Sequence, residues 1–212
     1  MNLGKSIVTL ALGCCVAAAL FAGVTLLKSR AGDAIPPAPA VDVRSVSGAR
    51  YYYPANRLPH LVLSDGRTET IRSVLNVKDR MRFGDALWDD DKVPPGPVWI
   101  RVDLTRQLLS VFRGGHEIGT AVVLYGAGDK PSPAGTFPVL QKAEDYHSIT
   151  YDAPMPFMLR LTADGVAIHG ADVRRGAATH GCIGVPTDFA RRLFGAVKLG
   201  DPVVIVRPAP QV

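Results

Sequence analysis

The sequence predicts a mainly β fold with few helices, a β-sandwich or mixed sheet, set behind an N-terminal membrane-spanning helix. Three observations predict it. An uncharged apolar run opens the chain from Ile7 to Leu27. Short alternating or apolar stretches recur from Trp99 onward, punctuated by Gly, Pro and Asp. A single clear helical pattern follows Val98, beginning at Thr187.

The N-terminal run comes first. A helix from Ile7 to Leu27 measures about 31 Å at about 1.5 Å per residue, roughly the hydrocarbon thickness of a bilayer. Lys5 precedes it, and Lys28 and Arg30 follow. The leading reading is an uncleaved signal anchor. A signal peptide cleaved near Ala17 and Ala19 is a second, although it would leave Leu20 to Leu27 as an apolar new terminus. Lipid attachment at Cys14, from the faint lipoprotein-like Leu12-Gly13-Cys14, is a third. Both flanks are positive, so charge does not set the orientation.

Residues 1–30 are therefore assigned as anchor and 31–95 as a Pro-rich spacer with an unassigned segment. Pro36, Pro37 and Pro39 make the start of that spacer extended and semi-rigid. Leu61-Val62-Leu63 and Ile71 to Val77 suit short strands or a helix. The Pro94-Pro95-Gly96-Pro97 cluster marks the boundary to a catalytic domain at 96–212, expected to fold by itself. Within that domain Trp99 to Leu104 alternates, with Ile100, Val102 and Leu104 on one face and Arg101 and Asp103 on the other. Gln107 to Phe112 and Ile118 to Tyr125 are the next strands, joined by a Gly114-Gly115 turn. Thr136 to Leu140, Phe157 to Leu161 and Val166 to His169 continue the pattern. The helix has Thr187 as its expected N-cap and an apolar face of Phe189, Leu193 and Phe194. Val203 to Val206 closes the domain.

Composition narrows the function classes. At 212 residues, 47% hydrophobic and 20% charged, the chain has ample material for a core. A net charge of +5 suits a solvated surface or weak attraction to an anionic wall or membrane. No basic run with interleaved aromatics is present, so nucleic acid is excluded as a partner. Cys182 is the single cysteine beyond Cys14 and Cys15, so the folded part forms no internal disulfide.

Cys182 has chemistry-bearing neighbours. His169-Gly170 ends one β stretch, and Thr179-His180-Gly181-Cys182 follows after a short spacer. A thiol is only a few per cent thiolate at neutral pH, so a cysteine nucleophile needs a base. It also needs backbone N–H groups aimed at the developing oxyanion, and glycine beside it permits close approach. His169 and Gly181-Cys182 are placed to meet those needs. The residues alone leave other readings open: a buried structural cysteine, or zinc held by His169, His180 and Cys182. His60, His116 and His147 suggest no site.

Ile168-His169-Gly170 followed by Thr179-His180-Gly181-Cys182-Ile183 resembles the signature of the YkuD-type L,D-transpeptidase domain. Val102-Asp103-Leu104 with Gln107-Leu108-Leu109 resembles its opening strand pair. Pro133-Ala134-Gly135-Thr136-Phe137 resembles its Pro-x-Gly-x-Phe segment. Pro156-Phe157-Met158 leading to Gly165-Val166-Ala167-Ile168-His169 is similar to its approach to the active site. The resemblance covers about residues 97 to 207.

The resemblance implies an L,D-transpeptidase-type β-sandwich or mixed-sheet domain with Cys182 as nucleophile and His169 as general base. The Gly170 carbonyl would orient the imidazole, N–H groups of Gly181 and Cys182 would form the oxyanion hole, and His180 would support the site. It implies attack on the third residue of a peptidoglycan tetrapeptide stem, release of D-alanine, and transfer to an amine. It also implies reaction with carbapenems and no metal or organic cofactor. Water as acceptor, which would make a carboxypeptidase, and a wall-binding scaffold with altered activity are the alternatives. Stem substrates place the catalytic domain on the outer, periplasmic face of the inner membrane. Arg174, Arg175 and Thr179 are candidate substrate-binding residues. Two departures bear on specificity: Gly184 replaces the usual arginine or asparagine, and the spacer from Gly170 to Thr179 is short. Nothing in the sequence specifies an oligomeric state.

Overall fold

The computed structural model describes residues 50–207. The span expected at Ile7 to Leu27 and the start of the Pro-rich spacer lie outside them. Among the described residues no helix is long and apolar enough to cross a membrane.

Residues 50–88 supply five short strands: β1 (Arg50–Tyr52), β2 (His60–Val62), β3 (Thr68–Thr70), β4 (Ser73–Leu75) and β5 (Ala86–Trp88). Three longer strands follow as an antiparallel meander, β6 (Val98–Asp103), β7 (Leu108–Arg113) and β8 (His116–Val122). Then come β9 (Gly135–Pro138), β10 (Gln141–Ala143), β11 (His147–Ser148), β12 (Ala153–Pro154) and β13 (Met158–Arg160). The chain closes with β14 (Ala167–Ala171), β15 (Ile183–Pro186), the helix α1 (Thr187–Ala196) and β16 (Pro202–Val206).

The large sheet runs β1-β4-β8-β7-β6-β16-β9, with β5 also pairing β8. The smaller runs β10-β13-β14-β15. Period-two alternation sends Ile100, Val102, Leu109 and Val111 to one face of the large sheet. There they share a core with Leu159, Ile168, Ile183 and Val185 of the smaller sheet and with Phe189 and Leu193 of α1. The mainly β sandwich expected from the sequence is the architecture found, with α1 the single α-helix among the described residues.

Three local readings are corrected or completed. Thr187 is the first residue of α1 rather than its cap: Pro186 holds the cap position and no side chain caps the helix. Proline's fixed φ suits a helix entry, and its extended ψ of 136° ends β15 directly against α1. The strand β15 was not foreseen, because the Gly-containing run Ile183-Gly184-Val185-Pro186 is short and lacks alternation. The third correction concerns 41–95. From Arg50 on it adds strands to the large sheet, since β4 and β5 both pair β8. The Pro94–Pro97 cluster therefore leads into β6 and does not separate two sheets.

The same segment covers the sheet's second face. Trp99 stacks on Phe112, with centroids 4.1 Å apart and planes 10° apart. Leu61 of β2 and Leu63, just after it in the hairpin, bury this pair together with Val204.

Candidate active site

Strands β14 and β15 run parallel, with Ile168 beside Ile183 and His169 beside Gly184. Ile183 and Val185 turn fully into the core. Cys182 and Gly184 therefore face the other way, on the side that carries His169. Strand geometry separates the His169 and Cys182 Cα atoms by about 8 Å, from ~4.8 Å between strands and ~3.3 Å per residue. Two residue types distant in the motif thus come to one face through a register, each aimed by its own strand.

His169 Nδ1 lies 2.9 Å from the Gly170 carbonyl oxygen. A carbonyl only accepts, so Nδ1 carries the hydrogen and the neutral ring keeps its lone pair on Nε2. Gly170 is packed too closely for a side chain: a Cβ there would sit 3.1 Å from both Pro156 and the Thr187 hydroxyl. Its N–H donates to Pro156 O at 2.8 Å, which fixes the strand beneath the imidazole.

Cys182 is half-buried against Met155, Met158 and Ala167. Its thiol points to Gly165 O at 3.8 Å. Burial pushes the Cys182 thiol above its ordinary range, opposed by a backbone hydrogen bond from Ala167. Burial likewise holds His169 below the usual histidine value, opposed by the Gly170 hydrogen bond. Both shifts favour the uncharged forms, thiol and imidazole, over thiolate and imidazolium.

The turn into Cys182 is held by two motif residues, Gly181 and Thr179, and by one group outside the motif, Ser132. Gly181 has φ +107°, a left-handed value suited to glycine. Thr179 Oγ1 donates to Cys182 O at 2.5 Å, so its side chain braces the Cys182 backbone. Buried Ser132 donates from Oγ to Gly181 O at 2.8 Å and accepts from Gly126 N–H at 2.8 Å. The sequence reading did not single out Ser132. Its only signal is that it immediately precedes the Pro133-Ala134-Gly135 segment.

His180 is exposed and lies flat on Tyr151, with centroids 4.6 Å and planes 13° apart. Lys130 Nζ donates to the Tyr151 hydroxyl at 2.7 Å. Tyr151 belongs to the β11–β12 hairpin, so that hairpin is tied to the loop that leads into Cys182. Arg174 and Arg175 lie elsewhere. With Val173 they line a cleft of about 1560 Å³ on the large sheet, to which neither His169 nor Cys182 contributes. Arg174 pairs there with Asp172 at 3.3 Å, both largely exposed. Among the described residues no three His, Cys, Asp or Glu side chains are grouped to hold a metal ion.

The family model of the L,D-transpeptidase catalytic domain, YkuD, matches residues 97–205. L,D-transpeptidase 1 of Mycobacterium tuberculosis is 28% identical over 120 residues, 49% of this chain and 48% of that protein. The probable L,D-transpeptidase 3 of the same species is 27% identical over 106 residues, 42% of this chain and 39% of that protein. The chain thus spans about half the length of the curated relatives it matches, or less. The crystal structure of an L,D-transpeptidase from Stackebrandtia nassauensis has a TM-score of 0.50 at 22% identity. It covers 57% of this chain and 61% of that one, a likeness of fold.

Proposed function

Because the chain belongs to the YkuD family of L,D-transpeptidase catalytic domains, we propose that it is a cysteine-dependent acyltransferase acting on peptidoglycan stem peptides. The observation that carries this reading is the β14–β15 register, which sets His169 and Cys182 on one face with the imidazole lone pair on Nε2.

In the proposed reaction Nε2 of His169 takes the Cys182 proton as Sγ attacks the carbonyl of the L-centre of the third stem residue. The oxyanion so formed is met by the N–H groups of Gly181 and Cys182. The imidazolium returns its proton to the nitrogen of the terminal D-alanine as the C–N bond breaks. The thioester then passes to an amine on a second stem, with His169 removing the acceptor's proton. His180, stacked on Tyr151, supports the wall of the site. The chemistry uses side chains and backbone alone.

Intact-protein mass after incubation with a carbapenem tests the reading. One covalent adduct is expected, abolished by Cys182→Ala. No adduct on the folded wild type would favour a scaffold. Muropeptide analysis after incubation with tetrapeptide-rich wall then identifies the acceptor: cross-linked products mean an amine, and free tripeptides mean water. We place the catalytic domain outside the membrane, anchored through Ile7 to Leu27. A reporter fused after Val212 that is active only in the cytoplasm would overturn that placement.

A further inference from the structure

We infer that Ser132 is a positioning residue that aims the Cys182 N–H at the developing oxyanion; this rests on the acyl-transfer reading above. The C=O of Gly181 and the N–H of Cys182 belong to the same planar peptide, which is trans, so they point in opposite directions. Whatever fixes the carbonyl aims the N–H. Ser132 Oγ donates to that carbonyl at 2.8 Å, with Cys182 O a more distant second acceptor at 3.4 Å.

The hydroxyl is itself fixed. Its hydrogen is committed to Gly181 O while its lone pair accepts from Gly126 N–H at 2.8 Å. Ser132 is 2% exposed, so water does not compete for these bonds. Arg207 donates to the Ser132 carbonyl at 2.9 Å and anchors its backbone. Gly126 lets the two chains approach closely: a Cβ there would lie 2.6 Å from Gly181 N. Gly181 needs such a restraint, because glycine at φ +107° has little intrinsic preference for one peptide orientation. Without the hydroxyl, the Gly181–Cys182 peptide can rotate and turn its N–H off target.

The test separates aim from thiol reactivity. Carbapenem acylation passes through an oxyanion. Alkylation by iodoacetamide forms an S–C bond with loss of iodide and develops none. Both rates are measured on the full chain by intact mass, as a function of pH, for wild type, Ser132→Ala and Ser132→Thr. The expected result for Ser132→Ala is a roughly 10- to 100-fold loss in acylation, with alkylation and its pH profile unchanged. Ser132→Thr keeps the hydroxyl and should hold the acylation-to-alkylation ratio within about threefold of wild type. Wild-type acylation rates in Ser132→Ala would overturn the inference, as would a parallel fall in both reactions. Should Ser132→Ala fail to fold, a tenfold or greater fall of the ratio in Ser132→Thr overturns it instead. Failure of the acyl-transfer reading looks different: the wild type itself is alkylated at Cys182 but never acylated.

Discussion

His169 on β14 stands in register with Gly184 on β15, so no side chain flanks the imidazole on the neighbouring strand. Two residues before Gly184, Cys182 occupies the same face. The proposed base and the proposed nucleophile are thus diagonal neighbours across a parallel pair.

The first prediction follows from their protonation. Burial lowers His169 and raises Cys182, and both shifts favour the uncharged forms. Acylation should rise as His169 deprotonates, below the ordinary histidine value of about 6.5. It should stay level until the thiol titrates, above its ordinary value of about 8.5. Thiolate absorbance at 240 nm should be absent from the resting enzyme at pH 7. A strong signal there would mean a preformed ion pair. His169→Ala should reduce acylation nearly as far as Cys182→Ala.

His180 carries a milder expectation. It stacks on Tyr151, and in the proposed reaction it braces the site while His169 takes the proton. His180→Ala should acylate on the order of 10²- to 10³-fold slower, yet measurably, as for loss of one supporting group. The Tyr151–His180 coupling in a double-mutant cycle on the acylation rate should be about 0.5–1.5 kcal/mol. Strictly additive effects would remove the stack from the account. A folded but inactive His180→Ala beside an active His169→Ala would exchange the two roles.

Gly184, the departure from the usual arginine or asparagine, is matched by its neighbours. A Cβ there would lie 3.0 Å from the Ala171 Cβ and 3.4 Å from that of Leu124. Gly184→Asn should therefore destabilise the domain by about 1–3 kcal/mol through overpacking, and Ala171→Gly should recover part of the loss. Urea unfolding midpoints of the single and double variants measure both. An unchanged midpoint in Gly184→Asn would show that the surroundings yield freely.

Truncation tests the contribution of residues 50–88. A fragment of residues 96–212 bares the β8 edge that β4 and β5 pair, and uncovers Trp99 and Phe112. It should melt well below a fragment of residues 50–212 and associate through that edge. Equal melting temperatures and monomeric elution for both fragments would make the segment a dispensable cover.

By itself the sequence determined the alternating strands, the helix after Thr187 and the His169, Gly181 and Cys182 constellation. These are local signals: a period of two places Ile100 and Val102 on one face whatever else the chain does, and a short motif keeps its residues adjacent. Only the tertiary structure decided what depends on distant pairing. The parallel register of β14 and β15 aims His169. Pairing of β4 and β5 with β8 turns an unassigned segment into part of the fold. Ser132 reaches Gly181 across 49 positions of sequence, through a hydrogen bond that leaves no periodic trace. Arg174 and Arg175, close to the motif in sequence, line a different cleft because the chain turns away after β14. Periodicity reports which face a residue occupies, while the partner on that face is chosen by packing and hydrogen bonding between segments far apart in the chain.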